Sequence, residues 1–167
     1  VGLQTIANEY YKKGLLDEEK VMNITQKRFG GRVYHATKTE DTKDHIDFWW
    51  ESDDGTKKVG FDVKGLRKNK RSDTSYDDSI QWIELVNVQG NKGWVYGKAD
   101  YITFMTNKFV LYVRRKDLVQ YIEDKTVDKS CVYSIPDEYY IPYQRKNRSD
   151  MIVKIPTIDL IPLSKHT

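Results

Sequence analysis

Residues 44–66, DHIDFWWESDDGTKKVGFDVKGL, constrain the fold of this chain more than any other stretch. Two strand-like runs flank a polar break that contains Asp54-Gly55. Asp and Gly tolerate the positive φ of tight hairpin turns, so the break predicts a two-residue turn between antiparallel strands. A turn centred there sets Asp47 opposite Asp62 and His45 opposite Lys64. Ile46 then faces Val63, Phe48 faces Phe61 and Trp50 faces Val59, which gives the hairpin one apolar face to bury. The other face carries Asp47, Asp62 and Lys64, because side chains alternate along a strand.

Two carboxylates held about 5 Å apart across a strand pair repel each other. A hard divalent cation such as Mg²⁺, with Mn²⁺ as its substitute, removes the repulsion by taking carboxylate oxygens. A solvated polar face would hold the same residues without any ion. The pattern Asp47-x14-Asp62-x-Lys64 resembles the core motif of the PD-(D/E)XK nuclease superfamily, with Asp62-Val63-Lys64 as its (D/E)-x-K element.

The resemblance implies an α/β fold with a restriction-endonuclease-like core, a central mixed sheet of four to five strands flanked by helices. It spans about residues 16–125, leaving 127–167 as a C-terminal extension packed on the core. It also implies a Mg²⁺-dependent endonuclease that hydrolyses phosphodiester bonds, of DNA rather than RNA. In that role Asp47 and Asp62 bind one or two ions, the Val63 carbonyl and Glu19 complete the shell, and Lys64 positions the attacking water. The other reading is a catalytically silent nucleic-acid- or protein-binding module on the same fold. Junction cleavage within such a family calls for a symmetric homodimer.

Glu19 enters through likeness to Holliday-junction-resolvase-like members, in which a first-helix glutamate precedes a glycine such as Gly30 by about three turns. Glu18 and Glu9 are the substitutes, and attraction to a helix N-terminus explains Glu18 and Glu19 without a metal. Superfamily members also place a polar residue on the element after (D/E)-x-K, which brings in Gln81 and Glu84. Alternation puts those two on opposite faces of a regular strand. The segment 79–104 resembles phage-encoded members.

At 167 residues the chain has the length of one domain with a core of its own. No run approaches the ~20 apolar residues of a membrane span, and the first residues lack a signal-peptide pattern. The single cysteine, Cys131, suits a reducing cytoplasm, which the resemblance implies is that of a bacterial or phage-infected cell. A zinc centre lacks a third ligand at the right spacing, and no nucleophile signature surrounds Cys131.

In chain order, periodicity predicts helices over 2–13, ending at Gly14, and over 17–28, with Asp17 as N-cap. A strand follows over 33–37, and then a polar connection into the hairpin. After Lys64 comes the densest basic run, with Arg67, Lys68, Lys70 and Arg71. It is either a solvated loop or a means of neutralising nucleic-acid phosphates. A strand over 79–88, a hairpin around Thr106-Asn107-Lys108 and a helix over 117–125 come next. Trp94 and Tyr96 offer either a stacking surface or core packing. In the tail, Arg145, Lys146 and Arg148 lie among tyrosines, a combination that grips single strands or wraps the core. A late strand is expected over 151–155.

Overall fold

The computed structural model describes residues 3–68 and 72–165. It begins with one helix, α1 (Leu3–Phe29), where the sequence predicts two. Gly14 does not end it. A glycine inside a helix costs about 1 kcal/mol but breaks nothing when its neighbours favour helix. Asp17 is no N-cap: it pairs with Lys13 one turn earlier. The helix stops at Gly30 and Gly31, whose φ values of 69° and 66° exclude further helical backbone. Gly31 has a second reason to lack a side chain, since a Cβ there would lie 2.2 Å from the Glu51 carbonyl oxygen.

The hairpin forms in the expected register. Strand β1 (Arg32–His35) pairs with β2 (Phe48–Glu51), and β2 pairs with β3 (Lys58–Lys64). Phe48 meets Phe61 and Trp50 meets Val59. The turn differs in detail from the two-residue type. The Ser52 N–H donates to Lys57 O (3.0 Å) around a four-residue loop. Gly55 supplies φ 71°, and the Asp54 carboxylate accepts from Ser52 Oγ, Thr56 N–H and Thr56 Oγ1. Both turns share one centre, so the register is the same.

The approach to β2 is not a plain connection. A π-helical turn, Glu40–Asp44, ends at His45 with φ 55°. That left-handed residue stops the extended run, so His45 does not continue the ladder opposite Lys64. The Asp47 N–H donates to Phe61 O (2.7 Å), the residue already opposite Phe48, so the regular ladder ends at Phe48–Phe61 and Asp47 meets Asp62 through its side chain rather than as the expected backbone pair.

Two more strands, β5 (Tyr101–Met105) and β6 (Val110–Arg114), complete a five-stranded mixed sheet in the order β1-β2-β3-β5-β6. Only β3 and β5 run parallel. The crossover between them carries β4 (Ile80–Val86), which leaves the sheet and joins β7 (Pro142–Gln144) and β8 (Met151–Pro156). These form a separate antiparallel sheet, ordered β4-β8-β7, so the C-terminal region is more regular than a mere wrapping segment. Helix α2 (Arg115–Thr126) follows β6 directly.

Alternation then divides the interior in two. Val21 and Met22 of α1 pack on Phe48, Phe61, Met105 and Tyr112. On the other side, Ile102, Phe104, Leu111 and Val113 meet Ile83, Val153 and Ile155 of the small sheet, together with Leu118 and Ile122 of α2. Asp62 and Lys64 stand beside Ile102 and Phe104 on neighbouring strands, so they lie at the margin of this second core. Among the described residues no helix is long and apolar enough to cross a membrane.

Candidate active site

The C-terminal half of β3 brings the acidic pair together. Asp62 is buried, its side chain 4% exposed, and its Oδ1 accepts a hydrogen bond from Lys64 Nζ at 2.9 Å. Its Oδ2 finds no N–H or hydroxyl donor, and the Asp62 carboxyl shares a hydrogen bond with that of Asp47. Burial pushes the Asp62 carboxyl up, and Lys64 pulls it partly back. Asp47 is fixed by its backbone neighbour: its Oδ2 accepts the Val63 N–H at 2.6 Å. Burial first, and then the Asp62 charge, raise the Asp47 carboxyl to about 6. A buried carboxylate beside another holds its proton more tightly because neither desolvation nor like charge favours ionisation.

Two further carboxyls sense the pair. Glu18 is raised to about 8 by burial, then by Asp47, Asp41, Asp62 and Glu19. Asp41, on the π-helical turn, is raised by burial and by Asp47, with which it also shares a hydrogen bond. Helix α1 passes close to this end of β3, since a Cβ on Gly65 would fall 2.1 Å from Asp17 Oδ2.

The helix presents Glu18, rather than Glu19, to the aspartates. The Glu18 side chain is 20% exposed, whereas that of Glu19 is 61% exposed and meets His35 Nε2 at 3.2 Å. Helical phase carries this signal in the sequence. Glu18, Met22 and Thr25 fall on one stripe at i, i+4 and i+7, and Glu19 falls off it. Glu9 is exposed on the same helix. Asp41 had no comparable signal, because its place depends on a turn that periodicity does not predict.

The Lys64 ammonium meets Asp62 Oδ1 and the face of Trp94, whose centroid is 4.2 Å from Nζ. Trp94 and Val95 are buried in the 3-10 turn Trp94–Tyr96, so Trp94 packs the core rather than forming an open stacking surface. Gln81 and Lys64 line one cleft with Arg67, Lys68, Asp77 and Asp78. Gln81 donates to Thr157 Oγ1 at 3.2 Å. Glu84 turns to a different task, its Oε1 accepting the Trp94 N–H at 3.3 Å. Strand β4 runs in regular register through both and shifts only beyond Glu84, so the two do not converge on one point.

The basic residues divide. The Arg67 backbone bridges to that of Asp77 across the neck of the loop after β3, and Lys68 lies over the Tyr76 ring at 5.6 Å. Lys13 of α1 reaches the same ring at 5.0 Å, a cation that charge-run reading overlooks because it stands alone in sequence. Lys70 and Arg71 lie outside the described residues. Arg145 is engaged with buried Asp150, and Lys146 and Arg148 are exposed on the turn from β7 to β8. That turn lies at the Met151–Val86 end of the small sheet, opposite Gln81. The second basic cluster is therefore separate from the cleft.

The donors present suit a hard divalent cation in kind: two facing carboxylates, one buried oxygen without an N–H or hydroxyl donor, and raised proton affinities that a positive charge would relieve. They do not make a ready cage. Among the described residues no three His, Cys, Asp or Glu side chains form a group able to hold a metal ion. No family model matches the chain, and no curated protein or solved structure matches it significantly.

Proposed function

We propose that this chain is a divalent-metal-dependent nuclease of PD-(D/E)XK type, cleaving phosphodiester bonds of DNA. The observation that carries the reading is Asp62: a buried carboxylate against the Asp47 carboxyl, with one oxygen on Lys64 and the other without an N–H or hydroxyl donor. The mixed five-stranded sheet flanked by α1 agrees with the core expected of that superfamily, although the crossover from β3 to β5 passes through a second sheet.

Asp47 and Asp62 would hold Mg²⁺ or Mn²⁺, with Glu18 the glutamate best placed to join them. When bound, the ion polarises the scissile phosphate and makes water a stronger nucleophile at neutral pH. The chain's own residues prepare for this. The Val63 N–H fixes the direction of the Asp47 carboxylate. Lys64 places a compact positive charge beside the pair, where it offsets charge that builds up on the phosphate and orients the attacking water. Arginine would not replace it, because a planar fork presents its charge differently from an ammonium. Arg67 and Lys68 at the cleft offer phosphate contacts that position a strand without reading its sequence.

Purified Asp62→Ala and Lys64→Ala variants are expected to remain folded and to lose Mg²⁺-dependent cleavage by at least about 10²–10³-fold. Wild-type cleavage by both variants would end the assignment. Among the described residues no three-ligand group stands preassembled, and the second reading is a silent binding module on the same fold. Calorimetric titration with Mn²⁺ separates them: a nuclease binds the ion through Asp47 and Asp62, and a silent module does not.

A further inference from the structure

Lys64 has two supports, and they respond differently to a cation on the carboxylate pair. The first is Asp62 Oδ1, 2.9 Å from Nζ. A divalent ion on Asp62 draws on that same carboxylate and repels the ammonium. The second is the Trp94 ring, whose face keeps its negative quadrupole whatever Asp62 binds.

The ring is held firmly. Trp94 is 8% exposed and meets Phe104 edge-on, with centroids 6.4 Å apart. Its backbone N–H donates to Glu84 Oε1, and the Gly93 N–H donates to Leu85 O at 2.9 Å. A Cβ on Gly93 would fall 2.2 Å from the Glu84 carbonyl oxygen, so only glycine lets the turn sit this close to β4. Two points on β4 thus fix the indole that Lys64 lies against.

We propose that Trp94 is a positioning residue: its indole face keeps the Lys64 ammonium in place when a metal ion occupies Asp62. The inference rests on the nuclease reading and goes beyond it by giving a core tryptophan a task in catalysis. Packing alone would be met by any apolar side chain of similar volume. The proposed task needs an aromatic face.

The test therefore varies the face separately from the volume. Trp94→Leu is expected to lower kcat on a DNA oligonucleotide with Mg²⁺ by about tenfold, with KM unchanged. Trp94→Phe should lose less. Increasingly fluorinated tryptophan introduced at position 94 drains the ring face at nearly constant size, so kcat should fall stepwise while Tm stays constant. Wild-type kcat across the fluorinated series, or equal losses in Phe and Leu variants that follow Tm, would overturn the proposal.

A second readout needs no turnover. The ring should shift the Lys64 Hε resonances upfield, and Mg²⁺ titration should leave that shift in wild type. Its disappearance on adding Mg²⁺ would show the ammonium leaving the ring and would also overturn the proposal. A wild-type protein that fails to cleave would remove the nuclease reading. Where calorimetry shows Mg²⁺ bound to such a protein, a persistent shift at saturation would still support Trp94 as the group that holds Lys64 there, and a lost shift would overturn it.

Discussion

Asp62 and Asp150 are buried to the same degree and live in different surroundings. Each side chain is 4% exposed, each gives one oxygen to a cation, and each leaves the other oxygen without an N–H or hydroxyl donor. Asp150 Oδ2 receives two N–H groups from Arg145, at 3.0 and 2.6 Å. Asp62 receives one ammonium, and it also faces Asp47, with Asp41 adding negative charge. A buried oxygen without such a donor is therefore not a sufficient mark of a ligand site. What singles out Asp62 is like charge gathered around it that Lys64 alone does not offset.

The largest test of that contrast exchanges the two positions. Asp62→Asn should abolish metal-dependent cleavage, by about 10³-fold or more, whereas Asp150→Asn should leave kcat per folded molecule within about twofold of wild type. Comparable losses at both positions would erase the distinction. Ion binding should divide them in the same way. Mg²⁺ at a hundred times its dissociation constant should stabilise wild type and Asp150→Asn by about 2.7 kcal/mol in chemical denaturation. The same titration should leave Asp62→Asn unmoved.

Arg145→Ala is expected to cost about 2 kcal/mol of stability, since it strands a buried carboxylate whose partner is only partly shielded from water. Urea melts measure that cost, and cleavage chemistry should be unaffected.

The smallest effect is a pH dependence. Folding raises Glu18 from 4.5 to about 8 and Asp47 from 3.8 to about 6. The folded chain then holds protons that the unfolded chain releases, between those limits for each group. The stabilising contribution is complete below the ordinary values and disappears as pH rises through the folded ones. Melting temperature of the metal-free protein should therefore fall from about pH 5 to pH 8. Glu18→Gln should flatten the upper part of that curve.

Local rules explain why so much of the hairpin was legible. Its register depends on side-chain alternation and on where the turn is centred, and both are properties of neighbouring residues. The four-residue loop replaced the expected two-residue turn without moving the pairing. Gly14 misled for the opposite reason. A glycine marks the end of a helix only when the chain must turn there, and nothing near Gly14 required a turn. Glu18 could have been chosen over Glu19 by tracing the buried stripe through Met22 and Thr25. No local pattern put β4 into a separate sheet, because its partner β8 lies some seventy residues further on.

By itself, the sequence determined the hairpin register from Phe48–Phe61 to the turn, and so brought Asp47, Asp62 and Lys64 to one end of it, because alternation and turn chemistry act over a few residues. Tertiary structure alone decided what surrounds them. It brought Glu18 and Asp41 into range, set the Trp94 ring against Lys64, and carried Arg145 away to neutralise Asp150. The first two placements join residues far apart in the chain, and they follow from how two sheets and a helix bury their apolar faces rather than from any local pattern; the Arg145–Asp150 pair spans only the β7–β8 turn.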